Sequence, residues 1–490
     1  MRDSERTPLD EDEFDALLKN SLPDLPPQQV VDQVTPWKQA MTRVLTGIGL
    51  TTITLNFWWL NYLLPAIGMA LMLLGFRALR RENRWFSLCF GITVFRAVYL
   101  YAGLVLGSTI WSSKLFPSPA AYGLAGVHLV LQFVQFFCLW GGLRAVQRKA
   151  GLPPRAGGGV ALMVWYGITG LLATAGYTGL VLPLALLVSY ICILRSLWKL
   201  SKELDQAGYA IRPAPVRITD AALSIAISAV VLTGCICGLL LGCSYPMDWQ
   251  AAAPAEHSGV EEIKARLLEL GFPDDVLRDL TAEDIAACDG ALRVVTDVQD
   301  HFMNPREKEP LRITGVAVEL AGEQERWMIF HHFLWTADPG FYGTESIQLW
   351  PAYQDSEGWQ AGGRITGRVL YDKNGQTYSA PYYFLGEQTF TSESIFWGQE
   401  TSTDVFAAFS MPGAGERHRG YVAYPVAEVR DRHLISSWCN YTHQRTALQY
   451  PAMTAMEKRM AGGWNSDGAF YTIQDALQFH PTEEHLALLS

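Results

Sequence analysis

Four long stretches of this chain carry no Asp, Glu, Lys or Arg: residues 44–76, 115–143, 156–194 and 221–247. A helix needs about 20 apolar residues to cross a hydrocarbon layer of ~30 Å, and lipid offers backbone amides no partner outside the helix itself. Runs of this length and blandness direct the first half of the chain into a bundle of membrane helices. Spans are expected near 56–76, 85–107, 121–143, 159–176, 178–195 and 219–242, with the run 156–194 folding as two helices about Gly176-Tyr177-Thr178-Gly179. The run 44–76 is too long for one upright span and too short for two. It holds either one span behind a surface helix from Trp37 to about Leu55, or a short re-entrant pair.

The connections sort by charge. Arg77, Arg80, Arg81 and Arg84 follow the first span, Arg144, Arg148, Lys149 and Arg155 the third, and Arg195, Lys199, Lys202, Arg212 and Arg217 the fifth. The loop after the second span has only Lys114. Short basic loops stay in the cytoplasm, so residues 244–490 are expected on the outer side of a plasma membrane. The same parity would put the acidic start, residues 1–35, outside as well, whereas a re-entrant pair would return it to the cytoplasm. The first uncharged run begins only after residue 43, so the first span is expected to act as its own uncleaved insertion signal. The string Leu240-Leu241-Gly242-Cys243 resembles a lipobox, yet it ends the last span rather than a leader and reads better as a buried small-residue helix end.

Charge also separates the halves. Residues 1–243 are net +7 and residues 244–490 net −17, and an acidic half of that size repels phosphate, which excludes a nucleic-acid partner. Within the spans, polar groups are costly enough to mark function by default. Arg96 sits mid-span, and His128, Gln132 and Gln135 recur at i, i+4 and i+7 on one face of the next helix. An Arg96–Gln132 hydrogen bond would serve both. The cluster reads either as a polar clamp that sets helix register or as a site for an anion or polar ligand. No carboxylate lies deep in any span, which argues against a proton-coupled pump.

The outer half divides into a helical module, 244–310, a β domain, 311–445, and a C-terminal helix and tail, 446–490, behind the acidic N-terminal tail 1–43 and the bundle 44–243. Ser258 and Glu261 read as a capping box, Pro273 to about Leu280 as a second short helix, and Thr281 with Asp284 as the cap of a third. Strands are expected at 311–320, 326–336, 346–350, 365–371, 376–384, 404–410, 420–427 and 433–441, with a tight hairpin at Asp372-Lys373-Asn374-Gly375. Eight such strands imply an antiparallel β-sandwich, jelly-roll-like in order. The fold class is therefore a multi-pass helical bundle of about six spans followed by a soluble α+β region.

Aromatic residues are frequent in the outer half, and most belong in its core. Trp359, beside Glu357-Gly358 and Gly362-Gly363, is expected as an exposed loop aromatic and, with Trp397, as a candidate ligand contact. Cys288 and Cys439 are the two thiols clear of the spans, either paired or free. His331 and His332 are adjacent on a strand and point to opposite faces, so they do not chelate one metal together. No nucleotide, zinc-protease, serine-hydrolase or dinucleotide motif is present. The string Glu261-Glu262-Ile263-Lys264-Ala265-Arg266 has the EExxxR spacing of intramembrane CAAX-type proteases, but lies in a charged soluble helix.

The chain thus reads first as a non-enzymatic membrane protein of a bacterial envelope, without metal or cofactor, an envelope enzyme with no recognisable catalytic constellation being the remaining option. Its partners are membrane lipid and, through the outer domain, an envelope glycan or protein. Two alternatives stand beside it: a transporter or channel with its polar site at Arg96 and Gln132, and a membrane-bound regulator whose N-terminal segment holds a cytosolic partner.

Overall fold

In a computed structural model, the structure describes residues 37–53, 57–115, 118–175, 179, 181–209, 211, 216–252, 259–302, 311–323, 325–350, 359–394, 398–428, 434–461 and 468–480. The chain divides into two compact units. One holds residues 1–104 and 116–233, the other residues 105–115 and 234–490.

The first unit is helical. Its elements are α1 (Trp37–Thr52), α2 (Leu60–Leu79), α3 (Arg84–Leu106), α5 (Pro119–Lys149), α6 (Gly157–Thr174), α7 (Val181–Gln206) and α8 (Asp220–Leu241), while the short α4 (Ser112–Leu115) belongs to the second unit. Five of these, α2, α3, α5, α7 and α8, are long and apolar enough to cross a membrane. The apolar stretch of α6 is Gly157–Leu172 among the described residues, so five of the six spans read from the sequence reach this length among the described residues. The turn expected at Gly176-Tyr177-Thr178 lies outside the described residues.

The ambiguous run 44–76 is a helical hairpin. A Cβ on Gly47 would lie 2.5 Å from the Gly68 carbonyl oxygen, and one on Gly75 would lie 2.8 Å from that of Ala40. Rising numbers in α1 therefore meet falling numbers in α2, and small residues let the two backbones touch. The contrast with Gly49, whose Cβ would meet only Leu194 at 3.6 Å, gives a prediction. Gly49→Ala is expected to be neutral or stabilising through helix propensity, and Gly47→Ala to destabilise by about 1–3 kcal/mol through overpacking. Thermal unfolding in detergent distinguishes them, and equal melting temperatures would dismiss the close approach.

Charge pairs gather at one end of this unit. Arg43 Nη1 donates to Asp220 Oδ2 at 2.6 Å, Arg77 Nη1 reaches Asp220 Oδ1 at 3.4 Å, and Lys38 Nζ lies 3.9 Å from Asp205 Oδ2. The start of α1 thus sits beside the end of α2, the end of α7 and the start of α8, where the basic connections are. α1, at 16 residues, occupies the place of the helix expected from Trp37 to about Leu55.

The second unit is built on two antiparallel sheets. The eight-stranded sheet runs β1 (Gln250–Ala251), β8 (Gln376–Ala380), β7 (Thr366–Lys373), β11 (Glu416–Glu428), β4 (Arg326–Trp335), β3 (Leu311–Leu320), β2 (Ala291–His301), with β6 (Trp359–Ala361) pairing β11. The five-stranded sheet runs β13 (Phe470–Phe479), β12 (Ile435–Gln444), β5 (Glu345–Trp350), β10 (Gly398–Phe409), β9 (Phe384–Ser394). Eight strands in jelly-roll order were expected. The five additional strands are the short β1 and β6 and the half-polar β2, β9 and β13, which hide from a search for apolar runs. Asn374 and Gly375 take positive φ at the β7–β8 turn, as a two-residue hairpin of this type requires.

Strand β4 shows how the layers stack. Trp327, Ile329, Phe333 and Trp335 share a core with β10 and β12, and Met328 and Phe330 face a second core under α9 (Glu261–Glu269), α10 (Asp274–Asp279) and α11 (Ala282–Ala286). Period-two alternation with both faces buried explains why the strand reads as continuously apolar. The short helices are thus a layer on the larger sheet, and β2, inside the span read as a helical module, is its edge strand. Val260 is the N-cap of α9 without a side-chain cap bond, whereas the Thr281 hydroxyl accepts from the Asp284 N–H as expected. Ser258 lies outside the described residues. The last helix, α12 (Ala455–Met460), carries a full capping box from Thr454 and Glu457, and β13 follows it where a tail was expected.

The segment Val105–Leu115 belongs to this unit. Ile110 N–H donates to Gly242 O at 2.9 Å, Ala452 N–H donates to Gly107 O at 2.8 Å, and Ile110 packs with Tyr245 and Ala408. A Gly234-Gly238-Gly242 stripe lies against Val105, Ser108 and Thr109. Cys243 is buried there as a free thiol, its Sγ 3.5 Å from Ser108 O, in keeping with a buried helix end.

Candidate functional site

The polar residues read from the helical half converge. Helices α3 and α5 run antiparallel, with Phe86 against Gly142 and, farther along, Tyr99 against His128 at 5.1 Å between ring centroids. Between these levels lies Arg96, 4% exposed. Its Nη1 donates to Gln135 Oε1, and its Nη2 donates to Gln132 Oε1 at 3.3 Å. Gln135 in turn donates through Nε2 to Thr93 Oγ1 at 2.8 Å, and Thr93 donates to Cys89 O at 2.7 Å.

The chain of contacts continues sideways. The Tyr166 hydroxyl of α6, beside Gln132, is hydrogen-bonded to Thr52 of α1. Tyr190 of α7 brings its hydroxyl to 2.8 Å from Thr52 Oγ1 and 2.9 Å from Ile48 O. Polar side chains of five helices therefore gather in two hydrogen-bonded groups, one between α3 and α5 and one among α1, α6 and α7. Thr52, Thr93, Tyr166 and Tyr190 were not singled out from the sequence, since Thr and Tyr within apolar helices are common and carry no distinguishing spacing. The spacing of His128, Gln132 and Gln135 did point to the right face of α5.

Chemically, Arg96 is a fixed cation among neutral acceptors. Amide oxygens satisfy its hydrogen bonds but bring no compensating charge. Two buried nitrogens, Arg96 Nε and His128 Nδ1, have no hydrogen-bond partner among the described residues. The cluster can bind or orient; it contains no paired acid, base and nucleophile.

The second unit has its own buried polar groups. His331 and His332 do point to opposite faces. His331 Nε2 lies 2.7 Å from Ser437 Oγ in the inter-sheet core, and His332 Nε2 lies 2.9 Å from Asp279 Oδ2 under the helical layer. Asp279 also receives Arg419 Nε at 2.9 Å, and Arg419 Nη1 reaches Asp372 at 3.0 Å. No His, Cys, Asp and Glu cluster suited to a metal occurs among the described residues. Cys288 and Cys439 do not form a disulfide; both are free and buried, Cys288 under the helical layer and Cys439 between the sheets. Burial pushes the Cys288 thiol up to about 12, which makes it inert. Trp359 opens β6, paired with Glu428, rather than standing in a loop, and Trp397 lies outside the described residues.

No family model matches this chain, and no curated protein matches it. A solved structure described as a pore forming protein overlaps 39% of this chain and 91% of its own length at 6% identity and a TM-score of 0.18, which is too loose to bear on fold or activity.

Proposed function

We propose that this is a multi-pass membrane protein whose C-terminal β unit lies outside the cytoplasm and binds a ligand or protein partner there, without catalysis. The observation that carries this reading is the membership of Val105–Leu115 in the β unit. Within that unit Ile110 N–H donates to Gly242 O, so the segment that follows α3 and the one that follows α8 are held to each other there, as a receptor that passes a binding event to its spans requires. Supporting it, α8 buries none of its residues, a surface that lipid tolerates and water does not. Exposed Phe57, Trp58 and Trp59 open α2 as an interfacial aromatic anchor would.

The orientation of α1 favours one addition. Its first residues stand among the basic connections, so the acidic segment before Trp37 lies on the cytoplasmic side in this reading, where it is free to hold a cytosolic partner.

One labelling experiment tests the arrangement. Single cysteines replace the exposed Lys373 on the β7–β8 turn, the exposed Arg148 at the end of α5, and Ser21. A membrane-impermeant maleimide is expected to label Lys373→Cys in intact cells, and Arg148→Cys and Ser21→Cys only after lysis. The reverse pattern would overturn the topology. With the topology established, a rise in melting temperature of the purified protein with an envelope glycan or peptide is expected, and no shift with any of them would dismiss the binding role.

A further inference from the structure

We propose that Arg96 and His128 form a binding site, between α3 and α5, for a small monovalent inorganic anion of the size of chloride. The argument begins with a charge count. From Trp37 to Met247 the chain has four carboxylates, Glu82, Glu203, Asp205 and Asp220. Asp205 pairs with Lys38, Asp220 with Arg43 and Arg77, and Glu82 with Lys149 and the Tyr209 hydroxyl. Glu203 is exposed. Every one of them sits in or beside a basic connection, so none neutralises Arg96.

A guanidinium has five N–H bonds. Two of those on Arg96 meet amide oxygens, and its Nε has no partner although it is buried. A lone cation surrounded by helices and lipid is held at high cost unless an opposite charge joins it. His128 lies one turn from Gln132 on the same face of α5, and Tyr99, one turn beyond Arg96 on α3, packs against its ring. The buried Nδ1 of His128 is likewise unmatched, and in the Nδ1–H tautomer it donates. Two unmatched donors and one uncompensated positive charge define a ligand that accepts hydrogen bonds and carries one negative charge. A dianion would exchange one uncompensated charge for another. A cation or a carboxamide would leave the charge as it is.

This inference draws on the membrane reading only in placing lipid around the helices; the maleimide labelling can fail while the following titration succeeds, and the converse. The full chain is purified in detergent with gluconate as the sole anion. Sodium chloride is then exchanged in at constant ionic strength while tryptophan fluorescence follows thermal unfolding. A saturable rise in melting temperature is expected in the wild type and its loss in Arg96→Gln. His128→Leu, on a half-buried position, is expected to fold and to raise the half-saturating chloride concentration about tenfold, as the loss of one hydrogen bond to an ion should. The proposal is overturned by the absence of a saturable rise, by an equal rise with sulfate, or by an equal rise in Arg96→Gln. Should Arg96→Gln not fold, an unchanged half-saturation in His128→Leu overturns it.

Discussion

Asp279→Ala is expected to lower the stability of the second unit by about 3–5 kcal/mol, the usual cost of leaving a buried charge without its partner. Asp279, 5% exposed, is the sole residue of α10 that reaches both His332 on β4 and Arg419 on β11. Arg368 holds the same helix end through the carbonyls of Asp279 and Leu280. Removing the carboxylate leaves the His332 imidazole without this partner beneath the helical layer and leaves Asp372 as the carboxylate still paired with Arg419. The loss should concentrate in α10 and α11, so hydrogen exchange of the purified full chain will report it first there; unaltered protection would show that apolar packing alone docks the layer. Burial works against the charged carboxyl, but the hydrogen bond from His332 and the charges of His332 and Arg419 outweigh it and hold Asp279 below its ordinary value of 3.8. Its contribution is therefore complete above pH 3.8 and is lost as pH falls below that value.

The second large effect is a milder-acid one. Burial holds His331 neutral and lowers its pKa from 6.5 to about 4. Between those values an unfolded chain takes up a proton that the folded chain refuses, so stability drops as pH falls from 6.5 to 4 and levels off below. At 1.36 kcal/mol per pKa unit the loss amounts to about 3 kcal/mol. The cause is visible in the geometry: His331 Nε2 is engaged with Ser437, and its Nδ1 is enclosed with no acceptor in reach for a second N–H. Denaturant unfolding of the full chain across this range should show the slope, and His331→Gln should flatten it. A slope that persists in the variant would assign the acid sensitivity to other groups.

These two histidines illustrate how much was legible in advance. Their adjacency on a strand was enough to send them to opposite faces, because strand periodicity is a property of the backbone. Their partners were not legible. Ser437 and Asp279 lie 106 and 53 residues away, and only the packing of the second sheet and of α10 brings them near. Strands with continuous apolar character, β3, β4 and β5, were found close to their true bounds. Those with one polar face, β2 and β13, were missed, since an edge strand leaves much of its length to water and resembles a loop in composition.

The helical half divides the same way. Runs without charge locate helices because hydropathy is a local sum, and basic connections mark one end of the bundle for the same reason. The sequence by itself therefore determined which segments are apolar helices, which end collects the cations, and that Arg96, His128, Gln132 and Gln135 share neighbouring faces. Tertiary structure alone decided that α1 folds back on α2, because nothing local separates them and the choice rests on glycine contacts between distant positions. It alone decided that Arg96 meets two glutamines and, among the described residues, no carboxylate, since helix register and rotation, which no local pattern encodes, choose the partner of a buried charge.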